Sequence, residues 1–193
     1  MLIDEIKNGE SQNIEFKQVL PDKSETYIKT LVAYANTSGG KLIIGVEDKT
    51  GEIIGVDEAD IPKLSDRISN VLADTVAPQI IPSITTAVID GKTVMIVEIF
   101  PSPARPYYIK SLGVEEGTFI RVNATTRRAD PVMLKELQLQ GSNQSYDETV
   151  IPGRTVSAAE AEAFCETIKK HREEAAAARG EAPDTRDITY CKS

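Results

Sequence analysis

The segment from Gly9 to Asp48 limits the possible folds more than any other part of this 193-residue chain. Alternating apolar and polar residues predict a strand at 13–19, and apolar residues at helical spacing predict a helix that begins near Asp22. An unbroken apolar run predicts a second strand at 41–46. Because both faces of that strand are apolar, we expect layers to cover it on both sides.

A glycine-containing turn joins this helix to the second strand. Asn36, Gly39 and Gly40 are its key residues, because asparagine and glycine tolerate the left-handed backbone that ends a helix. Such a turn can also present N–H groups to an anion. The residues alone leave both interpretations open, with the helix stop as the minimum.

The remaining patterns predict short strands and helices in irregular alternation. Asp90-Gly91 is typical of a tight hairpin turn, and a second turn at 48–51 predicts a returning strand at 52–56. Further strands are predicted at 83–89, 93–100 and 117–122, with helices at 2–7, from Asp60 onward and at 131–139. This order favours an α+β fold with a mixed, largely antiparallel sheet and flanking helices.

The chain divides into three parts by composition. Residues 1–140 predict one domain, and residues 141–156 predict a linker rich in Gly, Ser, Asn and Pro. Residues 157–193 predict a helical extension that begins with the capping-box pair Ser157 and Glu160. Because a new helical pattern begins shortly before the last residue, we expect the natural protein to continue beyond it.

Composition excludes several classes of function. A formal net charge of -8 argues against a nucleic-acid binder that works through its overall field, but not against a local basic face. Cys165 and Cys191 lack the spacing of a zinc finger or a disulfide framework, and the single histidine, His171, lies in the extension. No basic segment followed by an apolar core begins the chain, and no apolar run approaches the roughly 20 residues that span a bilayer, so we predict a cytoplasmic protein without membrane association.

Four of the acidic residues in the first quarter of the chain are candidates for chemistry: Glu10, Glu15, Glu47 and Asp48. If the two predicted strands are neighbours, one end of the sheet gathers several carboxylates, which could hold Mg²⁺ or Mn²⁺. The simpler explanation is a surface pair between Glu15 and Lys17, with Asp48 in a turn.

A basic stretch, residues 105–128, follows the hairpin that turns at Asp90-Gly91. Its cations are interleaved with Tyr107 and Tyr108, and cations beside aromatic rings can contact phosphates and stack on bases. Ordinary surface charges around a half-buried tyrosine pair would explain the same pattern. With Lys17, the proposed phosphate contacts are Arg105, Lys110, Arg121, Arg127 and Arg128.

Four motifs in colinear order resemble the Schlafen AlbA_2 domain. They are GES..IEFK at 9–17, AYANTSGGKLIIGVED at 33–48, RPYYIK at 105–110 and FIRVNATTRRAD at 119–130. Prokaryotic members of this family are labelled DNA-binding proteins or transcriptional regulators, often with further C-terminal domains. The resemblance implies binding of DNA or RNA.

The same resemblance implies a second function. Animal Schlafen relatives include RNA-cleaving enzymes that use two glutamates and an aspartate, which by motif position fall on Glu10, Glu15 and Asp48, with Glu47 as the alternative to Asp48. We therefore expect a nucleic-acid-binding module of a transcriptional regulator. The alternatives are a Mg²⁺- or Mn²⁺-dependent ribonuclease and a protein-interaction scaffold. A homodimer with two half-sites is consistent with a regulator.

Overall fold

The computed structural model describes residues 2–142, 155 and 157–180. The chain forms two compact units, Met1–Glu148 and Thr149–Ser193. The helices of the first unit are α1 (Leu2–Lys7), α2 (Glu25–Asn36), α3 (Ile61–Thr75), α4 (Gly113–Gly117) and α5 (Pro131–Ser142). Its strands are β1 (Ile14–Lys17), β2 (Gly40–Ile44), β3 (Val76–Ala77), β4 (Ser83–Ile89), β5 (Lys92–Ile99), β6 (Tyr108–Ile109), β7 (Phe119–Val122) and β8 (Thr125–Arg128).

The central sheet has the strand order β1-β2-β5-β4. β1 runs parallel to β2, whereas β2 and β4 both pair antiparallel with β5. Two short antiparallel pairs, β3–β6 and β7–β8, complete the described strands. The predicted α+β class with a mixed, largely antiparallel sheet is therefore confirmed.

The sheet separates two hydrophobic clusters, because alternate side chains of each strand point to opposite faces. On one face, Leu42 and Ile44 pack in the cluster that contains the buried stripe of α2. On the other face, Phe16 and Ile43 pack with Ile6 of α1. β2 is thus covered on both sides, as its apolar run predicts.

Several local predictions were wrong. The helix predicted to begin near Asp22 is α2, which begins at Glu25 after Ser24, without a capping hydrogen bond from a side chain. Residues 52–56 do not form a strand and make only one isolated bridge, between Val46 and Ile53. Sequence analysis also did not predict β8, because a run of threonine and arginine lacks the apolar alternation of a half-buried strand.

The described part of the second unit is dominated by α6 (Ala158–Arg179). Ser157 and Glu160 form the predicted capping box, and hydrogen bonds from Ser157 lower the pKa of the Glu160 carboxyl. Most of the predicted linker and the last residues of the extension (143–154, 156 and 181–193) lie outside the described residues. No helix in the described ranges has the length and hydrophobicity needed to cross a membrane.

Candidate nucleic-acid interface and the adjoining polar network

Arg121 of β7 connects the β7–β8 hairpin to β1, the edge strand of the central sheet. Its side chain is 1% exposed, and its Nη1 lies 2.7 Å from Oε2 of Glu15 on β1. The guanidinium also donates to the carbonyl oxygens of Ser11 at 3.0 Å and Gln12 at 3.3 Å. These bonds fix the loop before β1 against β7.

Two threonines and a tyrosine complete the surroundings of this ion pair. Thr126 Oγ1 accepts from Arg121 Nη1 at 2.9 Å, and Thr30 Oγ1 lies 3.3 Å from both Thr126 Oγ1 and Glu15 Oε2. The Tyr34 ring centroid is 5.3 Å from the Arg121 guanidinium carbon, a cation–π distance. We call these five residues the polar network; with the carbonyls of Ser11 and Gln12 they give each guanidinium nitrogen of Arg121 a partner. Burial raises the pKa of the Tyr34 hydroxyl.

Lys17 links Glu15 to Asp48. Its Nζ lies 2.9 Å from Asp48 Oδ2 and 3.4 Å from Glu15 Oε1, and it donates to the Phe16 carbonyl at 2.7 Å. Burial by itself lowers the pKa of the Lys17 ammonium, but the hydrogen bond to Asp48 and the charges of Glu15, Asp48 and Glu10 together raise it above its usual value. Lys17 is therefore held as a cation between two carboxylates.

The other two acids of the cluster satisfy backbone groups. Glu10 Oε1 accepts from the N–H of Phe16 at 2.9 Å. Glu47 Oε2 accepts from the N–H groups of Lys49 at 2.9 Å and Thr50 at 2.6 Å, and the bonds from Thr50 lower the pKa of this carboxyl. Asp48, not Glu47, is thus the acid beside Lys17.

Of the predicted metal ligands, Glu15 and Asp48 contact the Lys17 ammonium, whereas Glu10 accepts from the backbone N–H of Phe16. Lys17 occupies the position between Glu15 and Asp48 that a cation would fill. Among the described residues, no three His, Cys, Asp or Glu side chains are arranged to hold a metal ion. In this arrangement the residues do not fit Mg²⁺ or Mn²⁺.

Two of the predicted phosphate contacts bind the carboxyl ends of helices. Arg105 donates to the carbonyl oxygens of Ala35 and Thr37 at the end of α2, and to Oε1 of Gln140 on α5. Lys110 Nζ donates to the carbonyls of Ala73 and Asp74 in the last turn of α3, at 3.0 and 3.1 Å. Cations suit these positions because the last helical carbonyls have no partner within the helix.

The tyrosines of this stretch are not free to stack on bases as a pair. Tyr107 is buried in the main hydrophobic cluster, and Tyr108 is half-buried in β6. Arg105 and Lys110 reach their helix ends from distant positions in the chain, so only the tertiary structure reveals their partners.

Arg127 and Arg128 differ from the other predicted contacts, because both side chains are exposed on β8. Arg128 forms an ion pair with Glu116, which is also exposed. The side chain of Arg127 has no hydrogen bond or ion pair with any residue in the described part of the chain. Lys29 of α2 lies 5.5 Å from the ring centroid of Phe119, the cross-strand partner of Arg128, and so adds a third cation beside the hairpin.

The turn at 36–40 has a structural role that reaches beyond ending α2. The buried Asn36 side chain donates to the carbonyls of Tyr107 at 2.8 Å and Phe119 at 2.9 Å, and accepts from the Tyr107 N–H at 2.7 Å. Gly39 has a φ of 79°, and a Cβ at Gly40 would lie 2.4 Å from the Tyr34 ring. The turn was predictable from the residues, but this attachment of β7 and the contacts of Thr30 and Thr126 were not, because they have no local signal in the sequence.

Comparison with known proteins places these observations in a family context. The family described as Schlafen, AlbA_2 matches residues 10–130. An uncharacterized ATP-binding protein of Ureaplasma parvum is 30% identical over 77 residues, which are 37% of this chain and 22% of that protein's length.

Two solved structures also match. One is the DIP2311 protein from Corynebacterium diphtheriae, with 22% identity and a TM-score of 0.48 over 86% of this chain and 30% of that one. The other is the N-terminal domain of a Nitrosomonas europaea protein described as related to the ATP-dependent DNA helicase RecG, with 22% identity and a TM-score of 0.48 over 81% of this chain and 95% of that one.

Proposed function

The chain belongs to the Schlafen, AlbA_2 family, and from that premise we propose that it is a cytoplasmic nucleic-acid-binding module, with DNA as the preferred ligand, of a transcriptional regulator. The hairpin β7–β8 is the proposed contact element. One observation carries the proposal: the Arg127 side chain is exposed and has no partner among the described residues, and the Arg128 side chain has only an exposed one, Glu116.

Phosphate can replace the partner of Arg128 at low cost. An ion pair between two exposed side chains contributes only about 0–1 kcal/mol, and salt screens it. Arginine binds phosphate through paired N–H donors, a stronger arrangement than its contact with an exposed carboxylate. Glu116 therefore holds Arg128 in place without competing strongly for it.

The hairpin geometry suits a nucleic-acid backbone. Successive residues of a strand point to opposite faces, so Arg127 and Arg128 project from the two sides of a two-stranded ribbon. β7 packs against the rest of the domain, so the exposed strand β8 and the hairpin tip are the parts that can present these cations to phosphates. The tip of the hairpin, residues 122–125, is also exposed.

The overall charge sets the expected strength of binding. A net charge of -8 repels a polyanion, so attraction must come from the few cations of the hairpin. We expect modest affinity that falls steeply with salt, since each neutralised phosphate releases counterions. A homodimer would double these contacts.

The experiment measures binding of labelled duplex DNA and of RNA at low salt by fluorescence anisotropy. We expect the wild type to bind. The double variant Arg127→Ala with Arg128→Ala should lose affinity by about tenfold or more, since removing two phosphate contacts weakens binding to all sequences. Lys23→Ala with Lys63→Ala is the matched control, because it also removes two exposed positive charges but on other elements. Absent binding, or equal losses in both double variants, contradicts the proposal.

A ribonuclease is the second candidate, because Glu15 and Asp48 both contact Lys17 and Glu10 binds the backbone of the adjacent Phe16. It ranks second because Lys17 lies between the carboxylates. The test is cleavage of structured RNA with added Mg²⁺ or Mn²⁺: cleavage that Glu15→Ala abolishes supports an enzyme, and cleavage that survives the substitution rules out this site. Neither binding nor cleavage, with a protein partner captured in a pull-down, would favour the scaffold alternative.

A further inference from the structure

The two edges of the central sheet differ in how they are protected. β1 is a four-residue edge strand that carries Glu15 and Lys17. β4, at the opposite edge, is seven residues long and contains neither a charged residue nor a proline. Short length and charge are the usual protection of an exposed edge against pairing with another strand. Among the described residues, nothing of this kind protects β4.

The hairpin turn determines which backbone groups of β4 are open. Ile89 and Lys92 flank the two-residue turn Asp90-Gly91, whose φ angles are 50° and 76°, so the Ile89 carbonyl accepts from the Lys92 N–H. Hydrogen-bonded and non-hydrogen-bonded pairs then alternate along β4 and β5. The residues whose N–H and C=O groups point away from β5 are Ile84, Thr86 and Val88.

We propose that β4 is a self-association surface, on which β4 of a second copy of this chain pairs antiparallel about a twofold axis at Thr86. In that register Thr86 pairs with Thr86 of the partner subunit, and Ile84 pairs with Val88 of the partner subunit. All the outward N–H and C=O groups of the three residues then find partners, which no shifted register achieves.

The side chains favour a second copy of the same chain as the occupant. Ile84 and Val88 lie on one face, equally spaced from Thr86, so each apolar residue meets an apolar residue across the axis. Val88 is 68% exposed in the single chain and would be covered in the pair. A charged partner strand would gain nothing from this uncharged edge, and two chains of charge -8 repel each other least where no charge lies at the contact.

The pairing is limited in extent. Pro82 precedes β4, and the tight turn follows it, so the contact is confined to seven residues on each side. The area buried by such a contact is small compared with the roughly 1,200–2,000 Å² that stable protein interfaces bury. We therefore expect concentration-dependent self-association that added salt strengthens by screening the repulsion between acidic chains. Nucleic-acid binding has the opposite salt dependence, so failure of one proposal is distinguishable from failure of the other.

The first experiment is sedimentation equilibrium of the chain over a wide concentration range. Val88→Lys should weaken dimerisation by about tenfold or more, because a charge on an edge strand opposes pairing with another strand. Val132→Lys is the matched control, since Val132 is a 75% exposed valine on α5. A chain that stays monomeric at every concentration, or equal dimerisation of the two variants, overturns the proposal.

The second experiment tests the register through cross-linking. In a chain whose native Cys165 and Cys191 are replaced by serine, Thr86→Cys should form an intermolecular disulfide on oxidation, because residues paired at the axis lie about 5.5 Å apart between Cα atoms. Thr85→Cys is the control, since Thr85 would face Ala87 of the partner subunit and not its own copy. Faster cross-linking of Thr86→Cys supports the register, and equal or absent cross-linking overturns it.

Discussion

Arg121 and Arg127 lie on the same hairpin, yet they differ in every physical respect. Arg121 is buried and bonds to Glu15, to two backbone carbonyls and to Thr126. The Arg127 side chain is exposed and has no hydrogen bond or ion pair with the described residues. The guanidinium of Arg121 is bound within the protein, and that of Arg127 is available to a ligand.

The register of the hairpin explains the difference. Arg121 pairs with Thr126 across the strands and faces α2 and β1, whereas Arg127 pairs with Ile120 on the opposite face. A basic motif therefore contains cations of two kinds, and only their position on the ribbon separates them.

The largest expected effect is the loss of stability in Arg121→Met. Removing one partner of a buried ion pair leaves Glu15 without its main counter-charge and should cost about 3–5 kcal/mol of the free energy of unfolding. The measurement is urea denaturation followed by circular dichroism. Arg127→Met, the matched control, should change the same quantity by less than about 0.5 kcal/mol.

A double-mutant cycle with Glu15→Gln sharpens this result. If Arg121 acts through Glu15, the two substitutions should be strongly non-additive, because they remove the same interaction. Additive losses, or similar costs for Arg121→Met and Arg127→Met, would show that the two arginines do not differ as described.

The next effect concerns the anchoring of the hairpin base to α2. Asn36→Ala leaves the Tyr107 N–H and the carbonyls of Tyr107 and Phe119 without their partner, which should cost about 2–4 kcal/mol. Asn70→Ala on the exposed face of α3 is the control and should cost much less. A similar small cost for both would mean that Asn36 does not hold β7.

Sequence patterns predicted the layers of this molecule better than its polar contacts. The apolar run Leu42, Ile43 and Ile44 predicts a strand covered on both faces, because the spacing of apolar residues alone indicates which side chains are buried. Arg121 needs a specific acceptor more than a hundred positions away in the sequence, so its partner Glu15 has no local signal. Arg105 and Lys110 were predicted as phosphate contacts for the same reason: their partners, the last carbonyls of α2 and α3, are distant in the sequence.

β8 illustrates a second limit of the sequence. Its residues Thr125–Arg128 are mostly exposed and polar, so no alternation distinguishes them from a loop. The strand forms because β7 offers it a partner. The candidate interface thus depends on an element that only tertiary structure reveals.

A smaller effect is expected from Lys17, the third kind of cation. Its pKa is raised in the folded state, so its stabilisation is fully present below the unfolded pKa of about 10.4 and is lost as the pH rises through the folded pKa. Lys17→Met should therefore lower the free energy of unfolding by about 1 kcal/mol at pH 7, and the gap to wild type should close above roughly pH 10.5. Lys63→Met controls for general alkaline effects. A gap that widens at high pH would contradict the assignment.

The most direct test of the division between the two arginines is the salt dependence of nucleic-acid binding. The logarithm of the binding constant of wild type for duplex DNA should fall linearly with the logarithm of salt concentration, and replacing both Arg127 and Arg128 by glutamine should make that slope shallower by about 2, one for each lost phosphate contact. The same variant should unfold like wild type. An unchanged slope, or a slope that changes only because the protein unfolds, would contradict the account.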